Sequence, residues 1–309
     1  MFSEAGMLNK LTESGFRPLI AVHRGKSGAA VVENTVYSAL NAFNAGADIV
    51  EFDVQRTLDN KIAVFHEGME FKLLFPCLPP VMFSLMGELK KRRYRSESEG
   101  LLNYGICDLE EYLSALKGKG ILNFDRIWCA DIKKCLETVK RMGMFDQILF
   151  KSKVCEGKNK VLDHLKNYPE AWFMPICKSY RSYLTAKGEC AKRGIVIRGT
   201  EVIFKSGSDE FMDPEFIAEE KKEGRFVWAN SIHLNGKPDM CFNHGDNFAL
   251  FGDPDEHWGV LADLGYGVIQ TDWPEAMLKY FDSERYKAKV LKKKTYKTSA
   301  DLTNAAARE

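Results

Sequence analysis

The sequence predicts an α/β fold, a (β/α)8 TIM barrel with a small insertion after the second strand, and three observations carry that prediction. Eight apolar runs suited to buried strands start at Leu19, Asp48, Ile121, Gln147, Trp172, Thr200, Arg225 and Val268. Helical segments alternate with them, and the whole series takes about 260 residues, the size of such a barrel. Several runs, such as Leu19-Ile20-Ala21-Val22, are continuously apolar, as parallel strands covered on both faces are. A doubly wound sheet is the runner-up, but such sheets are rarely this regular.

The elements follow in order. Residues 1–18 read as a short polar helix ending in the turn Gly15-Phe16-Arg17-Pro18, and Leu19 to Val22 form the first strand. Glu33-Asn34-Thr35 opens a helix over Val36 to Ala45, with Asn34 as its cap and Gly46 as its stop. The strand from Asp48 turns at Thr57 to Asn60 and returns over Lys61 to His66. Residues 67–107 break the pattern with Pro76, Pro79, Pro80 and a charged run from Lys90 to Glu99, and read as a lobe beside the barrel mouth. Phe71, Leu73, Leu74, Phe75, Leu78, Val81, Phe83 and Leu85 are too many apolar groups for a free loop, so they are expected to bury, with the lobe folded down as a lid. Helices over 108–116, 135–142, 160–168, 182–193, 214–223 and 254–264 alternate with the remaining strands. The barrel thus occupies 1–282, lobe included, and 283–309 is a basic terminal helix or tail.

Composition narrows the function. The chain has 309 residues, 45% of them hydrophobic, enough for one large domain. Its 44 Lys and Arg balance 43 Asp and Glu, so no global field draws nucleic acid. Eight scattered cysteines without a CxxC pair read as free thiols in a reducing, cytoplasmic compartment. Met1 to Lys10 shows no basic segment leading into an apolar run, and no apolar stretch reaches spanning length, so membrane contact is not expected.

Ala47 to Val54 is the stretch around which the chain is organised. Ile49, Val50, Phe52 and Val54 are apolar strand formers, and Glu51 and Asp53 interrupt them at a spacing of two. On a strand that spacing puts both carboxylates on one face, where a divalent cation with oxygen ligands satisfies them. In a barrel, polar residues at the carboxyl ends of strands converge on one mouth. That rule gathers His23, Arg24, Glu51, Asp53, His66, Asp125, Lys151, Glu201, Asn230 and Asp272, with Trp228 beside them.

These residues carry a resemblance. His23-Arg24-Gly25, Glu33-Asn34-Thr35, Glu51-Phe52-Asp53-Val54, Thr57 with Asp59, His66 and the closing Thr271-Asp272-Trp273-Pro274 follow one another as in the glycerophosphodiester phosphodiesterase family, within the phosphatidylinositol phospholipase C-like barrels. The resemblance spans about residues 19 to 280 and is specific through the order and spacing of its motifs. It implies His23 and His66 as the catalytic pair, Glu51, Asp53 and Asp125 as ligands of one Mg or Ca ion, and Arg24 as the phosphate-binding arginine. Asp125 stands where the family usually has Glu, in an EIK-like motif whose lysine position here holds Ile127. Arg126 or Lys151 supplies the missing cation, with Lys151 assigned to phosphate. Asp131 is a lower-ranked rival as the third acid. His66 is followed by Glu67 where the family usually has Asp.

The chemistry this implies is cleavage of a small phosphodiester. A cation and an arginine stabilise charge gathering on the phosphoryl oxygens. Two imidazoles, titrating near neutral pH, move the protons, with His23 as base and His66 as acid. The expected substrate is a glycerophosphodiester cut to sn-glycerol 3-phosphate and an alcohol. The alternatives are a sphingomyelinase D-like or lysophospholipase D-like enzyme, and an inactive barrel kept for binding.

Overall fold

A computed structural model describes residues 6–13, 15–96, 98–234 and 240–293. Eight strands form the barrel: β1 (Leu19–Val22), β2 (Ile49–Arg56), β3 (Ile121–Asp125), β4 (Ile148–Lys153), β5 (Trp172–Cys177), β6 (Gly199–Val202), β7 (Phe226–Asn230) and β8 (Val268–Thr271). Each pairs in parallel with its neighbours in sequence, and β1 pairs with both β2 and β8, which closes the ring. The helices between them are α1 (Val36–Asn44), α2 (Leu109–Leu116), α3 (Ile132–Met142), α4 (Lys160–Leu165), α5 (Tyr180–Ala191), α6 (Pro214–Lys222) and α7 (Trp258–Leu264), and α8 (Pro274–Phe281) follows β8.

Local chemistry starts and stops these helices. Thr35, Asp108, Asn159, Ser179 and Asp213 each accept a first-turn backbone N–H from the N-cap position. Pro214 takes the first turn of α6, where its missing N–H costs nothing. Gly143 ends α3 in the left-handed conformation at φ 62°.

Strand period places the site. Along each barrel strand, inward residues recur every second position. At the lower level Ala21, Ile49, Ile121, Leu149, Met174 and Val268 form one apolar cluster, and Leu8 and Leu11 of the 3-10 helix Met7–Thr12 plug it from below. Two positions further along the same strands stand His23, Glu51, Asn123, Lys151 and Gln270. A dry floor therefore carries a polar layer that opens to the mouth. The outer faces of the strands pack on the helices as the main core, with Phe52, Phe124 and Phe150 in ring contact.

Several expectations are corrected. The short helix expected before β1 is, among the described residues, the 3-10 helix Met7–Thr12, and it is not polar throughout, since Leu8 and Leu11 are buried. Thr35, not Asn34, caps α1. The 254–264 helix is broken into a 3-10 turn Pro254–Glu256 and α7, and an unforeseen helix, Asp246–Phe251, precedes it. The tail is helical over 284–293, and the remainder of the expected helix or tail, 294–309, lies outside the described residues.

The lobe departs furthest from expectation. It builds its own three-stranded sheet from Leu74–Phe75, Arg93–Ser96 and Gly100–Leu101, on a core of Leu73, Leu74, Val81, Met86, Leu89 and Tyr94 shared with Val32, Ala63 and Phe65 of the barrel. Of the eight apolar groups expected to bury, only Leu73, Leu74 and Val81 do so. Phe71 stays 68% exposed and Phe83 58%, with Phe75, Leu78 and Leu85 also at the surface. A lobe this small fills its interior with Tyr94, Met86 and Leu89 and has no room for the rest.

Candidate active site

His23, Arg24 and Gly25 leave β1 in a sharp turn, with Arg24 at φ 55° and Gly25 at φ 73°. A Cβ at Gly25 would lie 2.6 Å from the backbone carbon of Ser38, so only glycine lets α1 pack this close. The turn points the Arg24 N–H at Glu51, whose Oε2 accepts it at 2.9 Å.

Glu51 and Asp53 lie on the inner face of β2 and are 1% and 2% exposed. Asp125 is the register partner of Asp53 on β3. Each of the three brings a carboxylate oxygen within 4.8 Å of the others. Burial and the neighbouring Asp53 charge push the Glu51 carboxyl up to about 8. Burial raises the Asp53 carboxyl too, but the Arg24 charge, His66 and the Asn34 hydrogen bond together outweigh it and hold Asp53 below the usual carboxylate range. Three crowded oxygen donors, one of them unable to ionise freely, suit a hard divalent cation. The rival Asp131 caps α3 instead, accepting from the Lys134 N–H.

Arg24 is held by two carboxylates. Its Nη1 donates to Glu33 at 2.6 Å and its Nε lies 3.1 Å from Asp53. Lys151 is buried on β4 between Asp125 at 3.0 Å and Glu201 at 3.1 Å. Burial opposes its charge, but Asp125, Glu201 and Glu51 outweigh burial and keep it protonated. The polar layer continues around the ring. Asn230 donates to Glu201 at 2.7 Å, and the Trp228 indole donates to Asn230 at 3.1 Å and to Gln270 at 3.2 Å.

The two histidines differ. His23 Nδ1 faces Asp272 Oδ1 at 2.9 Å. Burial disfavours its charge, yet the Asp272 hydrogen bond and the Glu51 charge prevail, leaving its pKa above the usual value. His66 follows the strand Ile62–Val64, which runs back antiparallel to β2. Its Nδ1 lies 2.7 Å from the Glu67 carbonyl oxygen, which can only accept, so Nδ1 carries the proton. Its Nε2 lies 3.2 Å from Arg126 Nη1, which can only donate, so Nε2 offers a lone pair and the ring is neutral. Burial lowers its pKa, and Arg24 and Arg126 add to that against Asp53.

The geometry adds residues that sequence reasoning missed. Asn34 donates to Asp53 Oδ2 at 3.0 Å and accepts the Asp53 N–H at 2.9 Å. Asp246 is buried and accepts from Ser231, Trp258, Thr271 and the Asp272 N–H, and so fixes the turn that presents Asp272 to His23. Burial pushes its carboxyl up to about 7. The ENT triplet was a signal for Asn34, but it was read as a cap.

Comparisons with known proteins agree with this picture. Residues 23–74 match the glycerophosphoryl diester phosphodiesterase family, and residues 173–281 match a domain of unknown function. No curated protein matches the chain. A glycerophosphoryl diester phosphodiesterase from Parabacteroides distasonis shares the fold with a TM-score of 0.68 at 18% identity, over 88% of this chain and 89% of that one. An Oleispira antarctica phosphodiesterase, solved with the product sn-glycerol-3-phosphate, gives 0.61 at 19% identity over 87% and 98%. The glycerophosphodiester phosphodiesterase of Thermotoga maritima gives 0.58 at 19% identity over 86% and 100%. The stretch that matches the glycerophosphoryl diester phosphodiesterase family holds His23, Arg24, Glu51, Asp53 and His66, and the chain shares the barrel fold of these structures.

Proposed function

We propose that the protein hydrolyses glycerophosphodiesters to sn-glycerol 3-phosphate and an alcohol, with a divalent cation held by Glu51, Asp53 and Asp125 and with His23 and His66 as the acid–base pair. The convergence of the buried Glu51 and Asp53 carboxylates and the half-buried Asp125 carboxylate beside two differently held histidines supports the reading. The product bound to the Oleispira relative supports the substrate class.

A bound Mg or Ca ion would withdraw charge from the phosphoryl oxygens and strengthen the attack on phosphorus. The side chains do the rest. Arg24 sits at the same carboxylates and adds positive charge where the diester anion comes in. The neutral His66 is the base: its Nε2 lone pair takes the proton of the attacking hydroxyl as the new P–O bond forms. His23, kept protonated by Asp272, is the acid: it gives a proton to the alcohol oxygen as the old P–O bond breaks. This order reverses the expectation drawn from sequence, because only the structure reveals the separate partners of the two rings. Lys151 balances Asp125 and Glu201 and keeps the acid cluster near neutrality. Glu201 and Asn230 offer hydrogen bonds to a small polyol at the mouth.

A panel of glycerophosphodiesters and lysolipids, assayed with Mg and with Ca, tests the reading. His23→Ala and His66→Ala should each lower turnover by about 10²–10⁴-fold in a folded protein, and the double variant should fall little further. Near-normal turnover in either single variant overturns the paired role, and a preference for lysolipids overturns the substrate class.

A further inference from the structure

Two departures from the family's motifs meet in space. Glu67 follows His66 where the family usually has Asp, and Arg126 follows Asp125 in the degenerate EIK-like motif. Arg126 Nη2 donates to Glu67 Oε2 at 2.8 Å, while its Nη1 lies 3.2 Å from His66 Nε2. The strand period alone would turn Arg126 away from the barrel, since Asp125 already points inward. At Arg126 the chain instead takes φ 53°, a left-handed conformation uncommon for a bulky residue, and this swings the guanidinium to the mouth. The resting contacts therefore cover the one nitrogen of His66 that the reaction needs.

The cations of the site are not equally free to move. Arg24 is tied to Glu33 and to the buried Asp53, and Lys151 to Asp125 and Glu201. Releasing either would strand a buried carboxylate, which is costly. Arg126 is held by a neutral imidazole, by the Cys129 side chain and by Glu67, whose side chain is 51% exposed and can pass to water, so its release strands no buried carboxylate partner. Water screens such a pair, so an incoming anion competes with it easily. The planar guanidinium also matches two phosphate oxygens at once.

Resting on the proposed phosphodiesterase reading, we propose that Arg126 is a mobile phosphate-binding arginine. In the resting enzyme it is latched on Glu67 and His66. The anion of a bound phosphodiester draws it off, and the same movement frees His66 Nε2 to act as base. Substrate binding thus switches on the catalytic histidine, and Glu67 sets how tightly the latch is held.

Binding of sn-glycerol 3-phosphate and of inorganic phosphate to the metal-loaded enzyme, measured by calorimetry, tests the latch. Arg126→Ala should weaken both by about 10-fold or more and raise KM, Arg126→Lys should recover part of the loss, and Glu67→Gln should tighten binding by about threefold. The ¹⁵N shift of His66 Nε2 should move when phosphate is added to the wild type and should already sit near the phosphate-bound value in Arg126→Ala. Unchanged binding and KM in Arg126→Ala, or Glu67→Gln weakening binding as much as Arg126→Ala, overturns the proposal and leaves the pair as structural. Should Arg126→Ala not fold, the Lys and Gln variants, which keep the side-chain shape, decide by the same two criteria. A wild type that cleaves no glycerophosphodiester would sink the functional reading alone, because the inorganic phosphate and NMR arms do not depend on turnover.

Discussion

Asn34 and Asp53 are joined twice: the Asn34 amide donates to Asp53 Oδ2 at 3.0 Å, and the Asp53 backbone N–H donates to Asn34 Oδ1 at 2.9 Å. Asn34 holds φ 55°, a left-handed conformation that asparagine tolerates better than most residues. The paired bonds lock the carboxylate that the metal would meet. Asn34→Ala should therefore weaken metal affinity by about 10–100-fold with little loss of helix α1, whose cap is Thr35. A metal titration followed by calorimetry checks it, and an unchanged affinity removes Asn34 from the site.

Asp272 governs the charge on His23. In Asp272→Asn the burial and the nearby Arg24 charge, which disfavour the charged ring, remain, while the carboxylate that supports it is lost, so the His23 pKa should fall. A general acid must be protonated, so the alkaline limb of kcat/KM should move to lower pH. The pH–rate profile gives the answer, and an unmoved limb would show that His23 is not the acid.

What was legible in the chain was what period and spacing alone determine. The i, i+2 pair Glu51 and Asp53 needed only the strand period to share a face, and the inner layer was found because apolar runs end in polar residues. Asn34 was misread because an asparagine before a helix usually caps it, and nothing local distinguishes that from a side chain reaching across to β2. Asp246 lies between β7 and α7, where no apolar period marks an element, and it opens the short helix Asp246–Phe251. Only closure of the barrel brings it under Thr271 and Asp272. The surroundings of the histidines depend on partners distant in sequence, Asp272 lying 249 positions after His23 and Arg126 lying 60 after His66. The lobe buries fewer of its apolar residues than expected because apolar content says how much could be buried, not how much a small core has room for.

The lobe's two kinds of apolar residue should separate in stability. Leu74 is fully buried, and Leu74→Ala should cost about 2–5 kcal/mol. Phe83 is 58% exposed, and Phe83→Ser should change stability by no more than about 0.5 kcal/mol. Denaturant unfolding measures both, and a large loss in Phe83→Ser would mean that this ring is covered in solution.

Glu51 predicts how the metal-free protein responds to pH. Its carboxyl is raised on folding to about 8, so the native chain keeps a proton that the unfolded chain has lost. The unfolded state then binds fewer protons, and stability falls as pH rises. This contribution is intact below the ordinary carboxylate range, declines through neutral pH and levels off above about 8. Denaturant unfolding of the metal-free protein between pH 5 and 8 should slope downwards in the wild type and less so in Glu51→Gln. Equal slopes would show that Glu51 is not held protonated.

The most direct test of the central claim is the rate of sn-glycerol 3-phosphate release from a glycerophosphodiester before and after the protein is stripped with a chelator. The account predicts release by the untreated enzyme, loss of at least about 10²-fold on stripping, and recovery when Mg or Ca is returned. It further predicts that Asp53→Asn does not recover under the same treatment, because the carboxylates at Glu51, Asp53 and Asp125 are what hold the ion. Release that is indifferent to the chelator, or full recovery in Asp53→Asn, would contradict it.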